Sequence, residues 1–327
     1  MTSLLQAAVA MRPRFVAALF PPGVRRLSTR CFPLSGLRGL LRLRGPGSAS
    51  FLHGLVTNDV EQLKDGAMYA HLLNVQGRSL FDVIVYRVPG QGDGSHDLLM
   101  ECDAAAVDSI HRHLQVYNFR KKVDVRPCPE LSVWAFVQKK LELTEKPRPL
   151  ALFCAPDPRG PVMGSRVVAP TGQDIADILP GVEIGTVLDY IRHRYQHGVP
   201  EGVKDLPPGE ALPLESNLVY MNGISFSKGC YIGQELTART HHTGVIRKRL
   251  VPLHLSSPLP PEAAGAEVTT ASGKSAGKYR AGVDHLGLAL IRLVCMKEEL
   301  HITVGGGAPV RVTPSLPAWW PPPGDGA

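Results

Sequence analysis

Apolar positions recur with two periods along the chain, and the period separates predicted strands from predicted helices. Two apolar, strand-like runs at 68–75 and 79–88 flank Gly77, which predicts a hairpin because a tight turn favours a residue that tolerates positive φ. Apolar residues then recur every three or four positions over 104–119, after Asp103 as a capping residue, and this pattern predicts a helix.

Weaker patterns complete the chain. Residues 31–45 predict a turn-linked pair of short strands, and 131–138 predict a further strand of the same mostly antiparallel sheet. Residues 139–182, rich in proline, glycine and charge, predict little beyond loops, and a helix follows over 185–198. From Lys248 onward, strand-like pieces split by Gly and Pro predict a small β-barrel or sandwich of about 70 residues, ending in a fraying tail.

The composition indicates a targeting sequence and not a surface that binds nucleic acid. The formal charge is +7, but no Asp or Glu precedes Asp59, and the first thirty residues are rich in arginine, contain serine and have apolar patches. This profile predicts a mitochondrial presequence, because Arg12, Pro13 and Arg14 interrupt the apolar core that a secretory signal would need. Its removal leaves 31 basic against 29 acidic residues, which excludes a global electrostatic footprint for nucleic acid. No window reaches the ~18 apolar residues of a membrane-spanning helix.

The cysteines are single and scattered. There is no C-x-x-C pair, which excludes a structural zinc site with paired ligands, and the spacing is too sparse for a small disulfide scaffold. We expect most of them to be free thiols in a reducing compartment. The six positions are 31, 102, 128, 154, 230 and 295.

Cys230 has unusual neighbours. Lys228 precedes it, and residues 233–240 predict the start of a helix just after it. Both a nearby cation and a helix N-terminus favour the thiolate over the thiol. The alternative is a tight Gly-Cys-Tyr turn whose cysteine packs inside, and the residues themselves leave these two readings open.

The segment from Lys228 to Glu235, followed by Ala238 and Arg239, matches the signature K-G-C-[FY]-x-G-Q-E-x-x-A-R. By this motif the chain resembles the folate-binding YgfZ group, which is related to the aminomethyltransferase (T-protein) of glycine cleavage. The resemblance covers most of the chain beyond about residue 31. With the predicted presequence, it points to the mitochondrial branch of the group, which acts late in 4Fe–4S cluster maturation beside A-type carrier proteins.

The resemblance also implies a folate site. Asp82 matches an acid that contacts the reacting end of folate in T-proteins, but Phe81 replaces the first of their two adjacent acids. Glu215 matches the glutamate that hydrogen-bonds the pterin ring, and a carboxylate can accept two N–H bonds from that ring. Tyr117 and Arg120 are candidates for stacking or charge near the folate tail.

Pattern and resemblance together predict an α+β fold with two interleaved antiparallel-sheet subdomains around a central cleft and a small C-terminal β-barrel. The predicted domains are the presequence (1–30), the first part of the α+β subdomains (31–190), the central segment with the cysteine motif (191–247), the barrel (248–318) and the tail (319–327).

The function that the resemblance implies is an assembly factor of the mitochondrial matrix, not an enzyme. In this hypothesis Cys230 is a ligand of a 2Fe–2S cluster shared transiently with an A-type carrier, Lys228 and Arg239 keep the thiol ionised, and tetrahydrofolate binds at Glu215. We expect a monomer without a resident cluster when the protein is alone, a heterodimer with the carrier, and no nucleic-acid or membrane partner. The alternatives are a folate-dependent aminomethyl transferase and a thiol enzyme with His241 or His242 as base.

Other candidates have ordinary interpretations. His193 and His197 have the i, i+4 spacing of a zinc pair but lack the glutamate of H-E-x-x-H, so we expect two solvated helix residues. We likewise expect His241 and His242, eleven residues after Cys230, to lie in a surface loop near an interface, with a role as additional iron ligands as the alternative. Tyr69, His71 and Asn74 are candidates for lining the pocket, with packing as the alternative for the odd-numbered pair. The run 120–122 is basic and predicts a solvated strand edge or a contact to an acidic group.

Overall fold

The computed structural model describes residues 29–64, 66–88, 97–119, 121–138 and 151–322. The predicted presequence lies outside the described residues except for its last two positions, and so do Arg120 and the last five residues of the predicted tail.

The elements follow the predicted mixture of strands and short helices. The helices are α1 (Ser48–His53), α2 (Val107–Tyr117), α3 (Ile175–Ile178), α4 (Val187–His197), α5 (Gly202–Asp205) and α6 (Gln234–Thr243). The strands are β1 (Thr29–Pro33), β2 (Arg38–Arg44), β3 (Ala67–Leu73), β4 (Ser79–Val88), β5 (Asp97–Asp103), β6 (Asp124–Pro127), β7 (Leu131–Gln138), β8 (Phe153–Pro156), β9 (Ser165–Pro170), β10 (Glu183–Ile184), β11 (Lys248–Leu255), β12 (Glu267–Thr270), β13 (Ser275–Val283), β14 (Leu286–Arg292), β15 (Leu300–Ile302) and β16 (Val310–Pro314).

The chain divides into two compact units that interleave in sequence. The first unit comprises the described parts of 1–49, 63–68 and 84–190, and the second comprises those of 50–62, 69–83 and 191–327. In the described residues, no helix combines the length and the apolar character needed to cross a lipid bilayer.

Two five-stranded sheets account for the strands before the barrel. One has the order β10-β1-β7-β9-β8, and the other has the order β3-β4-β5-β2-β6. The strand β1 pairs antiparallel with β7, whereas β2 pairs antiparallel with β5. The predicted α+β class with two sheets is therefore confirmed, but β1 and β2 belong to different sheets. Local alternation predicts a strand without naming its partner, which is why sequence reasoning put 131–138 in the wrong sheet.

Residues 151–170 contribute strands that the sequence did not predict. The strand β9 pairs with β7 and with β8, so the sheet extends through the segment expected to hold loops. Glycine and proline at the strand ends, including Gly164 at φ +67°, obscured the short apolar runs between them.

A buried ionic cluster joins the two sheets within the first unit. Glu101 on β5 accepts a hydrogen bond from Arg38 Nε at 2.8 Å and one from the Tyr86 hydroxyl at 2.5 Å. Arg166 on β9 lies 3.5 Å from the same carboxylate. Removing one member of such a buried cluster would leave an uncompensated charge, so these side chains fix how the sheets of this unit pack.

The second unit ends in the predicted barrel, which is confirmed. Six strands close in the order β11-β14-β13-β12-β15-β16, and neighbouring strands run antiparallel. Its interior is apolar, and the buried residues include Val251, Leu253, Val268, Tyr279, Ile291, Leu300 and Val312.

The start of the predicted tail packs rather than frays. The indole Nε1 of Trp319 donates to the backbone oxygen of His197 at 2.7 Å. Trp320 lies 5.3 Å from the ring of Tyr220, and the guanidinium of Arg249 lies over both rings. The hydrogen bond of Trp319 and the ring contacts of Trp320 therefore hold this segment on the second unit.

Candidate functional site

The thiol of Cys230 is exposed to solvent, on a loop that ends where α6 begins. The neighbouring Gly229 also faces open space, since a Cβ placed there would meet no atom within 4 Å. Every other cysteine of the protein is buried or half-buried. The alternative in which Cys230 packs inside is therefore wrong, and its sulfur is accessible to a second molecule.

Lys228 is buried, unlike the thiol, and three backbone carbonyls surround its ammonium group. Nζ donates to the oxygens of His53, of Val56 at 2.7 Å and of Asn58 at 3.0 Å, a set that we call the carbonyl cage. Burial lowers the pKa of Lys228 to about 8. An ammonium has three N–H donors, and the cage engages all of them, so Lys228 fixes the loop that carries Cys230. Its effect on the ionisation of the thiol stays a prediction.

Further hydrogen bonds join the cysteine loop to the segment after α1. The Ile232 amide donates to the Gly54 oxygen at 3.2 Å. Upstream, the hydroxyl of Thr57 donates to the Gly223 oxygen at 2.7 Å. The loop is thus tied on both sides of Cys230 to residues 53–58.

Two glycines place the start of α6 against the β3–β4 hairpin. Gly233 has φ +78°, and a Cβ there would stand 2.3 Å from the Asn74 oxygen. A Cβ on Gly77, which also has φ +78°, would stand 2.9 Å from the Gly233 oxygen and from Leu236 Cβ. A side chain at either position would push the hairpin and the helix apart. Gly77, predicted in the hairpin turn, and Gly233, the second glycine of the motif, are therefore both required for the contact between the hairpin and α6.

The helix predicted after Cys230 is present as α6. The side chain of Gln234 accepts a hydrogen bond from the Tyr231 amide at 3.2 Å, which closes the turn before the helix. His241 lies in the last turn and stacks on Phe226, with ring centroids 3.6 Å apart. His241 and His242 therefore belong to a helix and not to a loop, because the helical period continues past the segment used for the prediction. Arg239 is exposed on the same helix.

Two of the three residues predicted to line a pocket, Tyr69 and His71, are buried on β3 instead. His71 hydrogen-bonds Ser79 through Nδ1 at 2.8 Å and the Tyr69 hydroxyl through Nε2 at 3.1 Å. Its backbone N–H donates to the Thr57 hydroxyl at 2.9 Å. Burial lowers the pKa of His71 to about 4, so the imidazole is neutral near pH 7. Asn74 forms the turn, where its side chain accepts from the Arg78 amide. The packing alternative holds for this strand.

The two predicted folate carboxylates have different surroundings. Asp82 is buried, and its Oδ1 accepts from the Gly202 amide at 2.9 Å, at the start of α5. It is not exposed to a ligand in this structure, because burial and the backbone of α5 enclose it. The sequence placed Asp82 in a strand but contained no signal for the distant Gly202.

Glu215, by contrast, is half-buried beside a small recess, whose wall includes Ser216, Leu250 and Arg280. Burial raises the pKa of Glu215, and the positive charges of Lys248, Arg280 and Arg78 oppose that rise. Among the described residues no hydrogen bond reaches its carboxylate, so both oxygens are available as acceptors for N–H groups of a ligand.

The remaining aromatic candidate belongs to the first unit. Tyr117 is the last residue of α2, is 37% exposed, and has its ring 5.1 Å from that of His113. Arg120 lies outside the described residues. The role of Tyr117 near a folate tail stays a prediction.

One group of potential metal ligands was missed by the sequence analysis. His53, Asp59 and Glu61 offer ligand atoms within 4.8 Å of one another, and His53 Nδ1 lies 3.4 Å from Asp59 Oδ1. Within the described residues Cys230 is not a member of any such group. The negative charges of Asp59 and Glu61 act on the Lys228 ammonium, so this cation already balances part of the negative charge of these three potential ligands.

Comparisons with known proteins agree with this organisation. Residues 247–322 match the family model "CAF17, C-terminal beta-barrel domain". The chain is similar to the mouse protein named "Iron-sulfur cluster assembly factor IBA57, mitochondrial", with 50% identity over 89% of this chain and 85% of that protein. The human protein of the same name shares 48% identity over the same fractions. The corresponding homolog of Mycosarcoma maydis shares 34% identity over 87% of this chain and 83% of its own length.

The fold also has a solved counterpart. The crystal structure of the glycine cleavage system aminomethyltransferase T from Bartonella henselae superposes with a TM-score of 0.68 and covers 89% of this chain and 86% of its own. The two sequences are 19% identical, so this likeness concerns the fold alone.

Proposed function

The chain belongs to the IBA57 family of mitochondrial iron–sulfur cluster assembly factors, and from this membership we propose that it acts late in 4Fe–4S maturation in the mitochondrial matrix. Its cargo is a 2Fe–2S cluster shared transiently with an A-type carrier, with Cys230 as one ligand. Two such clusters, each holding two ferric ions, then combine with two electrons from an external reductant to give one 4Fe–4S cluster with no loss of sulfide.

The exposure of Cys230 is the observation that carries this proposal. Iron–sulfur clusters usually take four protein ligands, mostly thiolates. Every other cysteine is buried or half-buried, so a single accessible thiol has to be completed by ligands from elsewhere. A partner that supplies the other thiolates can then take the cluster away again, which suits a factor that hands on its cargo.

The site disfavours the two enzyme alternatives. In the aminomethyl transferase reading, Asp82 has to meet the reacting end of folate, but it is buried and binds the Gly202 amide. In the thiol-enzyme reading, His241 or His242 has to reach the thiol as a base, but the ring of His241 lies flat on Phe226 and that of His242 packs edge-on against His241.

Reconstitution with the carrier tests the proposal. Purified protein is mixed with an A-type carrier, ferric iron, sulfide and a thiol reductant under anaerobic conditions, followed by visible absorption and size-exclusion chromatography. The expected result is a coloured 1:1 complex whose spectrum differs from that of the carrier alone, because the cluster has gained a ligand. A carrier that elutes separately with an unchanged spectrum would contradict the proposal.

For folate the proposal is binding without transfer. Glu215 fits such a ligand, because its carboxylate is partly covered, has no hydrogen-bond partner among the described residues and can accept N–H bonds from a pterin edge. Folate would supply one-carbon chemistry when bound, but no step of cluster assembly passes through it.

Replacing Glu215 with Gln is expected to weaken tetrahydrofolate binding about tenfold or more, since the amide keeps the size but loses a charge-assisted acceptor. Isothermal titration measures this, with Glu262→Gln, an exposed change on the barrel, as the matched control. Equal affinities for the wild type and Glu215→Gln would remove Glu215 from the folate site.

A further inference from the structure

We propose that the partner carrying the cluster docks on a surface formed by the tip of the β3–β4 hairpin and the exposed face of α6, which we call the hairpin–helix surface. This inference rests on the proposed function and names the surface that the function requires. The partner is a protein that presents thiolates and an iron–sulfur cluster beside an apolar patch.

Exposed apolar side chains lie on the hairpin tip and at both ends of the helix that follows Cys230. Val75 at the hairpin tip is 71% exposed, Val245 just after α6 is 77% exposed, and Leu236 in the first turn of α6 is 36% exposed. Scattered apolar residues are ordinary on a protein surface, but a group of them around a reactive atom is typical of an interaction site. Leu236 lies at the start of α6, and Val245 follows its last residue, Thr243, by two positions.

The contacts of the loop place Cys230 between these side chains. At one end, Gly77 and Gly233 hold the hairpin tip against the first turn of α6, beside Leu236. At the other end, Phe226 stacks on His241 in the last turn. The segment between Phe226 and Gly233 therefore runs alongside α6, and a partner that reaches the thiol must cover the helix as well.

The charges of the surface suit such a partner. Arg239 on α6 and Arg247 just after it are exposed, against Glu235 in the first turn of the same helix. A 2Fe–2S cluster with thiolate ligands carries net negative charge, and its field attracts a surface with excess arginine. A surface with apolar residues and flanking arginines is thus complementary in charge to the cluster-binding surface of such a partner.

Single surface substitutions test the docking surface. Val75→Asp and Val245→Asp are each expected to weaken binding to the cluster-loaded A-type carrier about tenfold or more, because an apolar contact becomes a carboxylate facing a negative cluster. Val294→Asp is the matched control, since Val294 is an 85% exposed valine on the barrel. Arg239→Glu tests the contribution of the basic charge to binding, and Lys278→Glu, at an exposed position of the barrel, is its control.

Biolayer interferometry measures affinity, and thermal unfolding checks each variant, with Val75→Gln as a second variant should the aspartate loosen the hairpin. Weaker binding by the hairpin and helix variants, with both controls unchanged, supports the surface. Equal binding by all variants overturns the surface and leaves the proposed function standing, because the complex still forms. A wild-type protein that does not bind the loaded carrier overturns both.

Discussion

Replacing Cys230 with serine is expected to reduce cluster formation with the carrier to the level of the carrier alone. A serine hydroxyl is not ionised near neutral pH and is a poor ligand for iron in place of a thiolate. Because the sulfur is exposed and makes no core contact, the free energy of unfolding should change by less than about 0.5 kcal/mol. Anaerobic reconstitution followed by visible circular dichroism measures the cluster, and thermal unfolding measures the fold.

Cys154→Ser is the matched control, since Cys154 is a half-buried thiol of the first unit. This substitution is expected to leave cluster formation unchanged. A shared cluster that forms with Cys230→Ser at the wild-type yield and spectrum would show that the thiol is not a ligand.

Replacing Lys228 with methionine is expected to have the largest effect on stability. Methionine fills a similar volume but donates no hydrogen bond, which leaves the three oxygens of the carbonyl cage without their donor. A buried polar group without a partner costs about 1–3 kcal/mol, so the second unit should lose about 3 kcal/mol or more and melt about 6 °C lower. Cluster formation should fall as well, since the loop around Cys230 loses its anchor.

Lys274→Met, on an exposed turn of the barrel, is the control and should shift the melting temperature by less than about 1 °C. Lys228→Arg should give an intermediate loss, because a planar guanidinium keeps the charge but does not match the arrangement of the three oxygens. A melting temperature for Lys228→Met within about 1 °C of the wild type would mean that water replaces the ammonium and that the cage is not a determinant of the fold.

Local signals predicted the parts of the fold that depend on neighbours in sequence. The hairpin at Gly77 is present with positive φ, and Asp103 caps the first turn leading into α2. The helix after Cys230 and the closed barrel are also present. The resemblance to the YgfZ and aminomethyltransferase group, found from one motif, is confirmed by the relatives and by the solved fold.

The sequence could not predict contacts between distant segments. Lys228 was identified as a neighbour of Cys230, whereas its ammonium binds carbonyls of residues 53–58. Asp82 was predicted as a weaker candidate for the folate pocket, and no local pattern indicated its hydrogen bond with the distant amide of Gly202. In both cases the residue type was informative about chemistry, but the partner depends on tertiary packing that no local pattern encodes.

The carbonyl cage also has a temporal consequence. Lys228 and its acceptors are separated by 170 to 175 residues, so the cage closes only after most of the chain has been made available for folding. Contacts of such long range form late and slowly compared with local ones. A nascent or partly unfolded chain therefore lacks the hydrogen bonds that anchor the cysteine loop. Only the folded protein holds the sulfur of Cys230 in a fixed position. In the proposed function, the lysine would thereby restrict cluster binding to the folded protein.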